Sequence, residues 1–221
     1  MEQELEKQVI RMSVRNLVEF IFRSGDIDSR RRKAEQEAMA EGARIHRKIQ
    51  RSMGGGYQAE VSLKWETEMS CAVLRLEGRA DGIFQNDGCW WIDEIKGMYR
   101  DVSRMEAPFY VHQAQAMCYA WIYGQQHDCE KMGVQMTYVN LETEEKKYFR
   151  LEFSMGELEN WFQELAQAYE KWAVFQTGHR ELRDRSIKGL EFPYPYREGQ
   201  RELAVSVYRC IQRRRNLLIQ A

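Results

Sequence analysis

Trp90-Trp91-Ile92-Asp93-Glu94-Ile95-Lys96 is the stretch on which the fold turns. It opens with bulky aromatic and β-branched residues, the composition of a central strand, and closes on acid-Ile-Lys. Successive side chains of a strand alternate between faces. Glu94 and Lys96 therefore share one face, and Ile95 takes the other. Asp81 lies thirteen residues before Glu94, and Asn86-Asp87-Gly88 between them is a hairpin turn signal. A hairpin through that turn sets a second carboxylate beside Glu94 and Lys96. Two carboxylates and an ammonium on one sheet face are costly unless something uses them. A hard divalent cation takes the oxygens, and a developing phosphate charge takes the ammonium.

Acid-x-Lys alone says little in a chain that is 30% charged. Glu144/Lys146 and Glu145/Lys147 repeat it, and a solvated hairpin end explains both. The Glu94 copy differs in its setting. It follows a Trp/Ile run. Its partner Asp81 sits in Glu77-Gly78-Arg79-Ala80-Asp81-Gly82, where small residues admit another backbone or a ligand. His46 and the pair Gln115/Tyr119 bracket it along the chain.

Working outward, residues 3–23 read as a helix broken at Ser24-Gly25-Asp26. A second helix is expected from about Ser29 to Met53, with Ala34, Ala38, Ile45 and Ile49 on one face, ended by Gly54-Gly55-Gly56. Val61–Met69 alternates as a strand, Ala72–Phe84 is the next, and Trp90–Lys96 the third. A helix from about Pro108 to Gln126 follows, then a hairpin of 134–140 and 147–153. Ser154 with Glu157 makes a capping box for a helix through Phe175. Meandering strands flanked by helices predict a mixed sheet in an α/β sandwich.

His46 lies mid-helix, one turn after Gly42. Taken alone it is a surface or core histidine with a satisfied partner. Gly42 costs a helix about 1 kcal/mol against alanine, which suggests close approach of another element there. An imidazole added to two carboxylates makes a site friendlier to manganese. Gln115 and Tyr119 share a helix face at i,i+4, with His112 on the same face. A glutamine amide in a core-facing stripe needs a partner, and a phosphate or a metal-bound water would supply one.

The 221 residues suffice for one sizeable core with an appendage. At 43% hydrophobic and 12% aromatic the composition is that of a globular protein, with no membrane-spanning run. The acidic, polar start is unlike a signal peptide. Five scattered cysteines without Cys-x-x-Cys indicate a reduced, cytoplasmic protein. A net charge of -1 excludes a generic polycation. The basic blocks Arg30–Lys33, Arg44/Arg47/Lys48/Arg51 and Arg213–Arg215 read either as a phosphate-tracking stripe or as helix faces in water.

The order His46, Asp81, Glu94-x-Lys96, Gln115-x-x-x-Tyr119 resembles the RecB-like branch of the PD-(D/E)XK nucleases, over roughly residues 13–175. The resemblance implies a restriction-endonuclease-like mixed sheet flanked by helices. It implies a DNA nuclease using Mg²⁺ or Mn²⁺, with His46, Asp81, Glu94 and the Ile95 carbonyl holding metal. Lys96 would position or activate water, and Gln115 and Tyr119 would contact DNA and order the site. Many relatives bind an iron-sulfur cluster through cysteines. That pattern is missing here, so no cluster is expected.

Residues 178–195 are polar and hold Pro193 and Pro195, and read as a linker. Phe192–Gln200 resembles the opening of DinG-type superfamily 2 DNA helicases, and Leu217-Leu218-Ile219-Gln220-Ala221 resembles the strand before their ATP-binding loop. The resemblance implies a nuclease domain over 1–177, a linker over 178–195, and the start of a helicase domain over 196–221. It implies a helicase in cis, a place in DNA repair, and single-stranded DNA as substrate, cut as an exonuclease. Two other classes stay open at this point. One is a non-catalytic DNA-binding module of such a helicase. The other is a structural domain whose acids form ion pairs.

Overall fold

A two-residue turn decides how the strands meet. Asp87 (φ 50°) and Gly88 (φ 75°) both adopt the left-handed conformation that a tight hairpin turn demands. They join β3 (Ala72–Asn86) to β4 (Cys89–Met98). The structure is a computed structural model. It describes residues 8–24, 35–191 and 193–220, with the backbone alone for 35–39.

In chain order the other elements are β1 (Gln8–Ser13), α1 (Val14–Phe22), α2 (Glu35–Ser52) and β2 (Gln58–Glu68). After β4 come α3 (Tyr110–Gln126), β5 (Lys131–Asn140), β6 (Lys146–Ser154), α4 (Met155–Ile187) and α5 (Gln200–Gln212). Among the described residues six strands form one mixed sheet, ordered β1-β3-β4-β5-β6, with β2 also on β3. β1 runs parallel to β3, and β4 parallel to β5; the other pairs are antiparallel. This is the restriction-endonuclease-like α/β arrangement.

Helices cover both faces. Leu17 and Val18 of α1, most of α3, and Leu158, Phe162 and Leu165 of α4 join Leu74, Leu76, Ile92 and Met136 in the main core. Ile45 and Ile49 of α2 close over Ile95, Val139 and Leu141 in a smaller one. α3 is buried almost all round, from Ala114 to Gly124, as befits a helix at the centre of the domain. Among the described residues no helix is long and apolar enough to cross a membrane.

Three expectations need correction. The single helix predicted over 3–23 is a strand and then a helix: β1 pairs with β3, and Ser13 Oγ caps α1 by accepting from the Asn16 N–H at 3.0 Å. Residues 3–7 lie outside the described part. The reason is tertiary, because β1 finds its parallel partner some sixty residues away, from Gln8↔Ala72 to Ser13↔Glu77. The helix predicted to stop at Phe175 runs to Ile187, so the first part of 178–195 is helical. Its capping box is as expected: Glu157 N–H donates to Ser154 Oγ at 3.2 Å and Ser154 N–H to Glu157 Oε2 at 2.8 Å. Residues 216–220 form no strand, and Leu218 is 99% exposed. A strand without a neighbouring strand has no ladder to join.

The chain divides into two compact units at Gly178/His179. Within the second, α5 buries none of its residues.

Candidate active site

One edge of β3 is shared by two partners. β2 fills the opposite edge, pairing from Val73 to Ile83. β1 takes 72–77 of the free edge and β4 takes 82–86, which leaves 78–81 open between them. Beyond Gly82↔Asp93 the strands β3 and β4 part, and Glu94–Met98 pair with β5 alone. Asp81 and Glu94 stand at this fork. The Asp81 side chain replaces the lost ladder: its Oδ2 accepts from Ile95 N–H at 2.8 Å. Its carbonyl accepts from Gln50 Nε2 of α2 at 2.9 Å. Across on β2, Glu60 has φ 58°, a left-handed conformation that costs a non-glycine residue.

The fork gathers the residues singled out in the sequence. His46 Nδ1 of α2 lies 3.6 Å from Asp81 Oδ1. Lys96 Nζ lies 2.6 Å from Glu94 Oε1. Glu94 is 1% exposed, and neither of its carboxylate oxygens has a well-aligned hydrogen bond. Burial pushes its pKa up to about 8, Lys96 pulls it down, and Asp81 adds to the rise. Burial also raises Asp81, against His46, the Ile95 N–H and Lys96.

Gly78 explains how α3 reaches the fork. A Cβ there would stand 2.5 Å from the Tyr119 hydroxyl, so only glycine lets the phenol lie on the open edge. Gln115 is buried beside it and donates to that hydroxyl, holding its pKa down against a larger rise from burial. The partner of the Gln115 amide is therefore Tyr119. His112 turns to Tyr138, its Nδ1 2.9 Å from the Tyr138 hydroxyl. Burial lowers the His112 pKa to about 4, and the charges of Lys96 and Arg15 push the same way. It stays neutral at physiological pH.

The close approach suspected at Gly42 is not found, since a Cβ there meets nothing within 4 Å. The basic stripe on α2 is partly spent. Arg44 pairs with Glu41 at 2.6 Å and with Glu144 at 3.1 Å, and Lys48 pairs closely with Glu144. Residues 30–33 lie outside the described part.

Sequence reasoning missed four residues. Arg15, in the first turn of α1, is brought near the fork because β1 ends opposite Glu77. It pairs with Glu19 at 2.6 Å, which raises its pKa most, and Glu94 and Tyr119 add to the rise. Gln50, at i+4 from His46, was readable as a second polar residue on that helix face. Asp93 and Tyr57 belong to the other side of the sheet. Tyr57 Oη donates to Asp93 Oδ2 at 3.0 Å, Thr137 Oγ1 to Oδ1 at 2.5 Å, and Gln135 Nε2 to Oδ1 at 3.1 Å. Gln135 Oε1 in turn accepts from Arg150 Nε at 2.7 Å. Gly82 makes room, since a Cβ there would collide with the Tyr57 ring.

The donor chemistry fits a hard divalent cation. Two buried oxygens of Glu94 lack aligned partners, and Asp81 Oδ1 and an imidazole face them at the fork. Among the described residues no three His, Cys, Asp or Glu side chains close into a metal cage.

A mixed sheet whose neighbouring strands part around an acid and an acid-x-Lys triplet defines the restriction-endonuclease-like class. The profile of the PD-(D/E)XK nuclease superfamily matches residues 2–193. The chain belongs to that superfamily, whose members are generally metal-dependent nucleases. Among solved structures, SSO0001 is 17% identical with a TM-score of 0.44, covering 76% of this chain and 78% of its own. A phage-related exonuclease from Haemophilus somnus 129PT is 13% identical with a TM-score of 0.37, covering 76% and 82%. No curated protein matches the chain by sequence.

Proposed function

We propose that this chain is a divalent-metal-dependent deoxyribonuclease that hydrolyses phosphodiester bonds of single-stranded DNA as an exonuclease. Asp81, Glu94 and His46, with the Ile95 carbonyl, would hold Mg²⁺ or Mn²⁺. The observation that carries this reading is Glu94, a buried carboxylate without an aligned donor beside a lysine and a second acid. A group so costly to bury persists where function requires it.

A bound cation would lower the pKa of a water and offset charge on the phosphate. Lys96 orients the attacking water or donates to the pentavalent phosphate. Ile95 N–H holds the Asp81 carboxylate in one orientation. Gln115 fixes the Tyr119 hydroxyl over the open edge, where it can contact a phosphate oxygen. Neutral His112 and its bond to Tyr138 seat the start of α3.

The helicase context is part of the proposal. The nuclease would occupy 1–177 and the beginning of a helicase domain that delivers single strands 196–221, joined by 178–195, whose first part continues α4. The division into units at Gly178/His179 supports that boundary.

End-labelled single- and double-stranded DNA, incubated with Mg²⁺, Mn²⁺ or EDTA, tests it. Laddering or release from one end of the single strand, abolished by EDTA, is the expected result. Equal binding without cleavage in any metal would make the chain a DNA-docking module instead.

A further inference from the structure

A cleft of about 440 Å³ opens between the end of α1 and the start of α3. Phe22, Arg23, Phe109 and Tyr110 line it together with Glu19 and Ser24. Two of its rings are exposed beyond what a core needs, Phe109 by 43% and Tyr110 by 48%. They are nonetheless held in place. The Tyr110 hydroxyl accepts from Trp161 Nε1 at 3.0 Å, and its ring meets Phe22 edge-on at 4.9 Å. Phe109 leans edge-on against His112 at 5.5 Å and Tyr138 at 6.1 Å. Two half-exposed aromatic rings, each held by its neighbours, thus line one cleft.

The cleft lies close to the fork. Phe109 N–H donates to the Tyr138 hydroxyl at 2.9 Å, and Tyr138 is the register partner of Lys96 across β4 and β5. Glu19, on the other wall, pairs at 2.6 Å with Arg15 in the first turn of α1. Arg23 brings a guanidinium to the cleft, and no ion pair joins it to an acid among the described residues. Bases within a duplex hide their faces in the stack, whereas an unpaired strand offers them.

We infer that this cleft takes unpaired nucleobases next to the scissile phosphate, with Phe109 and Tyr110 as stacking faces and Arg23 as a phosphate contact. The inference rests on the nuclease reading and adds to it the element that selects single strands. Each base stacked on an aromatic ring strengthens binding by a factor that truncation exposes directly.

The full chain is tested in EDTA by fluorescence anisotropy, with an oligothymidylate and an abasic oligonucleotide of equal length. Phe109→Leu and Tyr110→Leu keep apolar bulk and remove the ring. Each should weaken oligothymidylate binding by about 5- to 100-fold and leave abasic binding unchanged. Tyr110→Phe keeps the ring and should keep the affinity. Unchanged oligothymidylate binding in both leucine variants would overturn the inference. So would an equal loss on both probes, which marks a general structural defect, or a Tyr110→Phe loss as large as that of Tyr110→Leu. Base-dependent binding by a wild-type chain that cleaves nothing in any metal would sink the nuclease reading and leave the cleft standing.

Discussion

Asp93 and Glu94 are neighbours on β4, both sealed from solvent, yet they live in opposite circumstances. Asp93 points to the α2 side and receives three donors, from Tyr57, Thr137 and Gln135. Glu94 points to the α3 side and has a lysine ammonium at 2.6 Å but no aligned hydrogen bond. Burial raises the pKa of both, and the donors around Asp93 offset part of that rise. A buried acid whose lone pairs are taken is a fastening. One that meets a single lysine at one oxygen has capacity left for something else. Adjacent residues differ in this way because a strand sends them to different faces.

The sharpest way to break this contrast is to remove charge on the Glu94 side. Glu94→Gln, Asp81→Asn and Lys96→Ala should each reduce cleavage by at least about 100-fold, while DNA binding stays within a few-fold. Full activity in any one of them, measured with labelled single strands, would remove that residue from the chemistry.

On the satisfied side the loss should appear as stability. Asp93→Ala strands the Tyr57, Thr137 and Gln135 donors inside the protein. A cost on the order of 3 kcal/mol is expected, read as a drop of about 6–12 °C in Tm. Glu94→Gln in the same EDTA-containing buffer at pH 8 should melt no lower than wild type. If the two substitutions cost the same, the contrast between the acids is false.

pH sharpens it further. Glu94 unfolded ionises near 4.5 and folded near 8, so between those values the metal-free fold holds a proton that the unfolded chain has released. Stability in EDTA should therefore fall as pH rises from about 4.5 to about 8, by an amount on the order of a few kcal/mol. Asp81 is shifted in the same direction and adds to the slope. Glu94→Gln should flatten it, as Tm measured at several pH values will reveal. A wild-type profile that rises through this window would contradict the buried state of Glu94.

The smallest effect is reserved for His46. His46→Ala should weaken Mn²⁺ binding on the order of tenfold and leave Tm in EDTA nearly unchanged. A lower Tm with normal Mn²⁺ binding would make it a structural histidine.

The Glu94 side of β4 was far more legible than the fastened one. Acid-x-Lys after a Trp/Ile run, a turn at Asp87-Gly88, and an acid before it are local patterns, and local patterns are what alternation and turn chemistry expose. Asp93 was invisible as a fastening because its donors come from Tyr57, Gln135 and Thr137, on separate parts of the chain. β1 was misread for a similar cause, since parallel pairing with β3 leaves no nearby turn signal. α4 beyond Phe175 is polar and solvated, with Thr177 its last buried residue, so no apolar stripe marks its length. Arg15 comes near the fork only because β1 hands the chain to α1 there.

The Ile95 N–H, bound to the Asp81 carboxylate where β3 and β4 part, has a use beyond architecture. Its proton resonance depends on the charge of one carboxylate oxygen rather than on a peptide carbonyl. In a ¹⁵N-labelled sample that single cross-peak should shift when acid or Mg²⁺ reaches Asp81. It would report the filling of the fork, residue-specifically and without any nucleic acid present.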